Sequence, residues 1–264
     1  RLYLISSIFR RGQIFFRPYG GLFRRALGAF SHIFVQNDES RALLGRIGVR
    51  CVSVTGDTRF DRVCSIAARA KRLPEIERFA AGRPVFVAGS TWPPDEELLL
   101  GMIDHYRDVK FIVVPHEIDP DRIERLIGRI GRPALRYTQL TPETDSAEAG
   151  VLIVDTIGIL SSLYRYGRWG YIGGGFGAGI HNTLEAAVFG LPLAFGPHYG
   201  KFREACDLIE SGGAESIADG AQLLEWFDRL YRDPAATQRA GEACRTYVES
   251  HRGATRRIVD EICR

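Results

Sequence analysis

The chain has 264 residues, of which 45% are hydrophobic and 25% charged, a composition typical of a globular protein with one or two domains. Its net charge of +3 is too small to indicate nucleic-acid binding, and it contains no run of 18 apolar residues that could form a transmembrane helix. Five dispersed cysteines without a C-x-x-C pair, and six histidines without an H-x-x-x-H spacing, argue against a disulfide framework and against a metal site.

The amino-terminal segment is basic and contains no acidic residue before Asp38. Such a segment suits an anionic surface such as phospholipid or a phosphorylated glycolipid. A solvated rim without a partner explains it equally well. Its arginines are Arg1, Arg10, Arg11, Arg17, Arg24 and Arg25, and its phenylalanines include Phe15, Phe16 and Phe23. Because strand-like residues 2–5 follow Arg1 with no initiator methionine, we expect a further part of the protein to precede them.

Apolar runs alternate with helical patterns, which is typical of βαβ units and a mainly parallel sheet. Strands are predicted at 2–6, 32–36, 51–55, 84–88, 110–114, 134–137, 151–154, 170–172 and 192–195. Helices are predicted at 39–47, 95–107, 120–130, 158–164, 182–189, 202–211, 223–231, 234–250 and 254–262.

A domain boundary is predicted after the third strand. A polar, turn-prone segment at 56–61 is followed by a basic helical stretch that leads to Pro74 and a new series of strands and helices. Residues 1–61 would be the remainder of an amino-terminal Rossmann-like domain. Residues 62–264 would form a complete carboxyl-terminal Rossmann-like domain with a helical tail.

The segment 171–197 has the most informative pattern, YIGGGFGAGIHNTLEAAVFGLPLAFGP. It predicts a strand, a glycine-rich turn, a helix start and a second strand. Glycines let the backbone approach a ligand closely, and free amides at a helix start favour an anion. Asn182 and Glu185 are one helical turn apart, so both can face one bound group. The pattern indicates a phosphate-and-sugar site.

Four other predicted strands also end in polar or helix-starting residues. The carboxyl ends of parallel strands share one edge of a sheet, so we expect all five segments to converge on one cleft. Taken singly, Ser90, Thr91, Asp155 and Thr156 are also explained as helix caps, and Glu185 as a favourable charge in a first helical turn. The four segments are 88–92, 115–117, 155–158 and 196–198.

Three other site classes fit less well. Residues 173–178 match G-x-G-x-x-A, but no acid lies about twenty residues further on, where a dinucleotide fold binds ribose. The chain has no Gly-Lys-Ser/Thr of a P-loop and no G-x-S-x-G of a serine hydrolase.

Seven motifs occur in an order that resembles the 3-deoxy-D-manno-octulosonic acid (Kdo) transferases, over essentially the whole chain. They are FVQN at 34–37, VTGDTRFD at 54–61, GST at 89–91, VPH at 114–116, DTIG at 155–158, HNTLEAA at 181–187 and GPH at 196–198. The resemblance implies an α/β fold of the GT-B type. It also implies an inverting glycosyltransferase that moves Kdo from CMP-Kdo to a lipid A precursor, in lipopolysaccharide biosynthesis at the cytoplasmic face of the bacterial inner membrane.

The resemblance also implies roles for individual residues. The CMP-sugar would contact Pro115 and His116 in one segment, Ile157, Gly158 and Ile159 in a second, and Asn182, Thr183, Leu184 and Glu185 in a third. Glu185 would bind the ribose hydroxyls, Ser90 and the glycine-loop amides the phosphate, and Arg59 would stabilise the transition state. No metal and no cofactor is expected, only CMP-Kdo as the donor substrate.

Two departures from the family pattern bear on these roles. His116 stands where the family often has arginine, which makes that contact pH-sensitive. No residue matches the family's general base, a glutamate in a glycine-rich motif, so we expect this chain alone to bind CMP without transferring sugar. The alternatives are another nucleotide-sugar enzyme, such as a UDP-sugar transferase or epimerase, and a non-enzymatic nucleotide-binding module.

Overall fold

The computed structural model describes residues 1–263, and the chain forms two compact units. The first unit comprises Arg1–Ser65 together with the segment from Val248 onward, and the second comprises Ile66–Tyr247. In the first unit, strands β1 (Tyr3–Ser7), β2 (His32–Val35) and β3 (Val52–Val54) form a parallel sheet in the order β1-β2-β3. Its helices are α1 (Gly21–Leu27), α2 (Asp38–Arg46), α3 (Thr58–Ala68, which runs past the boundary) and α12 (Ala254–Ile262).

The second unit is built on a seven-stranded parallel sheet with the order β10-β9-β8-β4-β5-β7-β6. The strands are β4 (Val85–Thr91), β5 (Lys110–Pro115), β6 (Ala134–Arg136), β7 (Val151–Ile153), β8 (Trp169–Ile172), β9 (Leu193–Phe195) and β10 (Ala214–Ser216). The helices are α4 (Pro74–Ala80), α5 (Pro93–His105), α6 (Pro120–Arg129), α7 (Leu160–Leu163), α8 (Leu184–Ala187), α9 (Arg203–Glu210), α10 (Gly220–Arg232) and α11 (Pro234–Ser250).

The core of the second unit explains why its central strands are continuous apolar runs. Both faces of a parallel sheet are covered, so residues on either face must be apolar. Phe227 of α10 is fully buried and packs edge-on against Phe86, Tyr106 and Trp169, with ring centroids 5.4, 4.6 and 4.9 Å away. Such aromatic contacts between a helix and several strands hold the helix layer on the sheet.

The nine predicted strands are all present, whereas several helices differ from the prediction. Strand β10 and helices α1 and α4 were not predicted, and α3 begins inside the predicted turn at 56–61. Helices α7 and α8 have only four residues each.

Only the end of the predicted helical tail, from Val248 onward with α12, lies in the first unit, whereas the sequence prediction assigned it to the second domain. Asp61 accepts hydrogen bonds from the amides of Gly253 and Thr255, both at 2.7 Å. Arg257 donates twice to the carbonyl oxygen of Thr55, at 2.9 and 2.7 Å. An amphipathic pattern predicts that a helix has a buried face, but it does not specify which sheet that face covers.

A buried carboxylate, Asp95 in the first turn of α5, joins three parts of the second unit. Its Oδ1 accepts a hydrogen bond from the Tyr171 hydroxyl of β8 at 2.7 Å. Its Oδ2 accepts from the amide of Trp92 at 2.8 Å and from the amide of Gly174 at 2.9 Å. Burial, followed by the charge of Asp95, raises the pKa of Tyr171 well above its usual range. This carboxylate therefore ties the start of α5 to the loop that follows β8.

Lys110, at the opposite end of the sheet, is a fully buried amine. Its Nζ donates to the carbonyl oxygens of Ala147 and Ala149 and lies 5.0 Å from the centroid of the Phe79 ring. Burial, with two arginines nearby, lowers the pKa of Lys110 from 10.5 to about 8. Because the folded state disfavours the charged amine, the unfolded chain binds more protons between these two pH values.

Replacing Asp95 with alanine is expected to lower the free energy of unfolding of the second unit by about 3 kcal/mol, because three buried donors lose their acceptor. Urea unfolding followed by tryptophan fluorescence reports on this unit, since all three tryptophans lie in it. Glu97→Ala, at an exposed position on the same helix, is the control and should cost about 0.5 kcal/mol or less. Equal losses in the two variants would contradict this role for Asp95.

A second prediction concerns pH. The free energy of unfolding of the wild-type protein, relative to that of a Lys110→Met variant, should rise by about 2 kcal/mol from pH 8 to pH 10. The rise follows from the lowered pKa of Lys110, and the subtraction removes groups that titrate in both proteins. Urea unfolding at several pH values measures it. A difference that stays flat or falls with pH would show that the folded state does not disfavour the charged amine.

Candidate functional site

Loops after four neighbouring strands, β9, β8, β4 and β5, meet at one edge of the second sheet. These loops carry Gly196, the glycine-rich segment beginning at Gly173, and His116, and Ser90 lies at the end of β4 itself. The fifth predicted segment follows β7, which pairs with the other side of β5. The parallel order thus brings together the segments that the sequence analysis singled out, with those after β4 and β8 at the centre.

Glycine is required where these loops pack backbone against backbone. A Cβ atom on Gly173 would lie 2.2 Å from the carbonyl oxygen of Ser90, and one on Gly175 would lie 2.6 Å from the amide nitrogen of Gly196. Gly174, between them, has φ of +92°. Any larger side chain would therefore separate the loops after β4, β8 and β9.

Ser90 has the strained backbone that functional sites often retain. Its φ is +55°, and the pairing of β4 with β5 becomes irregular between Gly89 and Thr91. Its hydroxyl makes no hydrogen bond to any other residue that the structure describes. The serine is therefore an available donor beside the glycine loop, and not the simple helix cap that the sequence also allowed.

The predicted pair Asn182 and Glu185 does come together. Asn182 Nδ2 donates to Glu185 Oε1 at 2.9 Å, and Asn182 Oδ1 accepts from the amide of Leu184 at 3.1 Å. Thr183 and Leu184 are buried, and the hydroxyl of Thr183 has no hydrogen-bond partner within residues 1–263. Side-chain recognition at this segment therefore falls to Asn182 and Glu185.

The anion-binding groups differ from those expected of a helix N-terminus. Helix α8 has one turn, so its dipole is small. Within the glycine loop, the amides of Gly173, Gly174, Gly177 and Gly179 already donate hydrogen bonds inside the protein. Six others donate none to the described part of the chain, namely those of Gly175, Phe176, Ala178, Ile180, Asn182 and Thr183. A phosphate would thus be bound by loop amides rather than by the end of a long helix.

Three rings form a platform beside the loop. The Trp92 indole N–H donates to Nε2 of His181 at 3.0 Å, and the two rings are nearly parallel, with 9° between their planes. His116 lies across both, with ring centroids 4.2 Å from His181 and 4.8 Å from Trp92. Burial, and secondarily His116, lowers the pKa of His181. Trp92, Phe176 and His181 line an adjoining cleft of about 430 Å³.

The remaining predicted residues of this unit lie at the ends of β5 and β7. Pro115 is the buried last residue of β5, and Ile157 is 82% exposed. Gly158 has φ of +90°, and Ile159 follows it as the N-cap of α7. Asp155, just upstream, does not cap α7.

Asp155 instead binds the segment after β6. It accepts from the Thr138 amide at 2.9 Å, from the Thr138 hydroxyl at 2.6 Å and from Arg136 Nε at 2.9 Å. Burial raises the pKa of this carboxyl, but the hydrogen bonds outweigh that effect and lower it.

Arg59 belongs to the first unit, whereas the other predicted site residues belong to the second. Its Nε and Nη2 donate to Asp57 Oδ2 at 2.8 and 2.7 Å. Its amide donates to Asp57 Oδ1 at 2.9 Å. Asp57 is buried and also accepts from the Ser6 hydroxyl, so the arginine is anchored by its own unit.

Sequence reasoning missed the roles of Asp95, Trp92 and Tyr164. Tyr164 is buried, and its hydroxyl would be 2.0 Å from a Cβ atom on Gly89. The one local signal was the proximity of Trp92 and Asp95 in a helix start, which usually indicates only a cap.

Within residues 1–263, no group of three or more His, Cys, Asp or Glu side chains is placed to hold a metal ion. No helix in this range is long and apolar enough to span a membrane.

The chain is similar in sequence to a curated 3-deoxy-D-manno-octulosonic acid transferase from Bordetella pertussis. The two are 29% identical over 256 residues, which are 92% of this chain and 58% of the relative. The chain thus spans little more than half of that relative's length. No protein-family model matches the chain.

Two solved structures share the fold. The C-terminal CMP-Kdo binding domain of WaaA from Acinetobacter baumannii superposes with a TM-score of 0.58 at 21% identity, over 71% of this chain and 98% of that domain. A UDP-N-acetylglucosamine 2-epimerase superposes with a TM-score of 0.61 at 14% identity, over 94% of this chain and 70% of that one. These likenesses confirm the predicted fold class, α/β of the GT-B type. The resemblance predicted from the motifs is also confirmed by the sequence similarity to a protein named as a Kdo transferase.

Proposed function

We propose that this chain is the CMP-Kdo-binding part of an inverting glycosyltransferase that transfers Kdo to a lipid A precursor at the cytoplasmic face of the inner membrane. The names of its homologues support this proposal. The observation that carries it is the set of four adjacent strand ends that place Ser90, His116 and the Asn182–Glu185 pair around one glycine loop.

The nucleotide would bind along this edge of the sheet. Glu185 would accept hydrogen bonds from the ribose hydroxyls, because a carboxylate is an acceptor only and its partner Asn182 holds it in place. The segment 157–159 and Pro115 would flank the cytosine. Ser90, His116 and the amides of Ala178 and Thr183 would bind the phosphate.

In the proposed reaction, a carboxylate base takes the proton from an acceptor sugar hydroxyl. That oxygen then forms a bond to the anomeric carbon of Kdo, while the bond from this carbon to the CMP phosphate breaks. Negative charge grows on the departing phosphate, so donors already placed around it stabilise the transition state more than the ground state. Arg59 is proposed to contribute to the same stabilisation. No residue of this chain is assigned as the base, and the proposal requires no metal ion.

The first unit offers a surface suited to an anionic, lipidic acceptor. Tyr19 and Leu22 are 76% and 74% exposed. Arg10, Arg17 and Arg25 are exposed and form no ion pair with the residues that the structure describes. Cationic and apolar side chains together favour phosphorylated lipid. The prediction for this segment included Phe15 and Phe16, but both pack against the core residue Phe9, with centroids 5.8 and 6.2 Å away.

A UDP-sugar enzyme is the second candidate, since the fold is shared with a UDP-N-acetylglucosamine 2-epimerase. Isothermal titration of the chain with CMP, UMP and UDP separates the two. We expect CMP to bind about tenfold or more tightly than UMP, because a site that hydrogen-bonds one base edge leaves polar groups unpaired with another. Tighter binding of UDP than of CMP would favour the second candidate, and no binding of CMP would refute the first.

Glu185→Gln tests the ribose contact. The variant should bind CMP about 10-fold more weakly, because hydrogen bonds to a charged acceptor contribute about 1.5–3 kcal/mol. Its affinity for 2′,3′-dideoxy-CMP should equal that of the wild type, since this ligand lacks the hydroxyls concerned.

Glu210→Gln, an exposed substitution on α9, is the matched control and should leave both affinities unchanged. If Glu185→Gln weakened both ligands to the same degree, Glu185 would not be the ribose acceptor.

A further inference from the structure

We propose that the two imidazole rings of His116 and His181 form a phosphate site. When the nucleotide binds, His116 takes up one proton from solvent, while His181 stays neutral and positions the His116 ring. This inference rests on the proposed function and adds the proton that binding requires. It is based on the platform of Trp92, His116 and His181, in which the two histidines have different environments.

The hydrogen bond between Trp92 and His181 determines which histidine can carry the charge. An indole N–H only donates, so Nε2 of His181 must accept, at 3.0 Å, and cannot hold a proton. The ring then carries its single proton on Nδ1. Protonating Nε2 would place two donors face to face, and His181 is also half-buried. His181 is therefore held neutral, in agreement with the lowered pKa that burial gives it.

His116 has the opposite environment. It is exposed, and its ring lies flat over Trp92 and His181 at centroid distances of 4.8 and 4.2 Å. A cation over the face of an indole is stabilised by about 0.5–1 kcal/mol or more. A neutral imidazole below it adds no repulsion, whereas a second imidazolium at this distance would. The platform thus favours one charge, and places it on His116.

The backbone fixes this ring beside the glycine loop. The amide of His116 donates to the carbonyl oxygen of Thr91 at 2.9 Å, and His181 packs against Gly174, whose hypothetical Cβ would be 3.1 Å from the imidazole Cδ2. Loop amides carry no net charge, so a cation adds the element that they cannot supply to a phosphate site. Histidine is the side chain whose charge changes between pH 5 and 8, so a phosphate dianion can draw a proton onto it.

Most of the other charged groups around the pair are already paired. Asp95 on α5 faces His181 and accepts three hydrogen bonds. Arg122 and Glu96 form a buried ion pair at 2.7 Å, and Arg122 also donates to the Thr91 carbonyl. On the far side of the loop, His198 Nδ1 bonds to the carbonyl oxygen of Gly177. Glu117 follows His116 in the chain and is exposed. These pairings leave the ligand and the exposed Glu117 as the groups that could face a charge on His116.

Proton uptake can be counted by titrating the chain with CMP at pH 7.5 in buffers of different ionisation enthalpy. The wild type should take up more protons than His116→Arg, by up to one per CMP bound, because arginine is always charged. Comparing the two proteins removes the titration of the CMP phosphate itself. His105→Gln, an exposed position on α5, is the control and should match the wild type. Equal uptake by the wild type and His116→Arg would overturn the inference.

Affinity supplies the second readout. Between pH 6 and pH 8, the CMP affinity of the wild type should fall about tenfold relative to that of His116→Arg. The NMR signal of the His181 ring should not titrate in this range with CMP bound.

In Trp92→Phe, which keeps a ring face but removes the N–H donor, the His181 signal should begin to titrate. A titrating His181 in the wild type would refute the assignment of the proton. CMP binding without proton uptake would overturn this inference alone, whereas absence of CMP binding at every pH would overturn the proposed function as well.

Discussion

The candidate site depends on one buried carboxylate. Asp95 accepts hydrogen bonds from Tyr171, Trp92 and Gly174, so it joins β8, the start of α5 and the glycine loop. A buried charge is stable only when its acceptor positions are filled, and here every donor comes from an element that lines the site. The loop after β8 and the ring of Trp92 are therefore held in place by the same interaction, which couples the glycine loop to the platform of rings.

The strand order determines which loops that carboxylate can organise. Because β8 pairs with β4 on one side and β9 on the other, the loop after β8 lies between its two neighbours. Gly173 and Gly175 let it touch both, at Ser90 and at Gly196. This close packing has a consequence for binding. Loop amides that hold the loop together are no longer available to a ligand, so a phosphate can be bound only by the remaining amides of the loop and by side chains.

Sequence reasoning succeeded where the pattern is local. Buried parallel strands are apolar on both faces, so nine strands followed from the apolar runs along the chain. The convergence of five segments at strand ends followed from the parallel arrangement of those strands. It missed β10, whose three residues include Glu215 and form no apolar run. It also extended α8 from one turn to two and placed the last helix, α12, with the second unit. A helical pattern shows neither the tertiary partner of a helix nor the turn at which packing ends it.

The same contrast between local patterns and tertiary contacts applies to the site residues. Asn182 and Glu185 are one helical turn apart in the sequence, so their pairing could be predicted from their spacing. The bond from Trp92 to His181 joins residues 89 positions apart, and no sequence pattern relates them. That bond is nevertheless the one that makes two neighbouring histidines chemically different, since it occupies the lone pair that a proton would need. The presence of a histidine thus predicted a pH-sensitive contact, but only the tertiary arrangement determines which of the two rings takes up the proton.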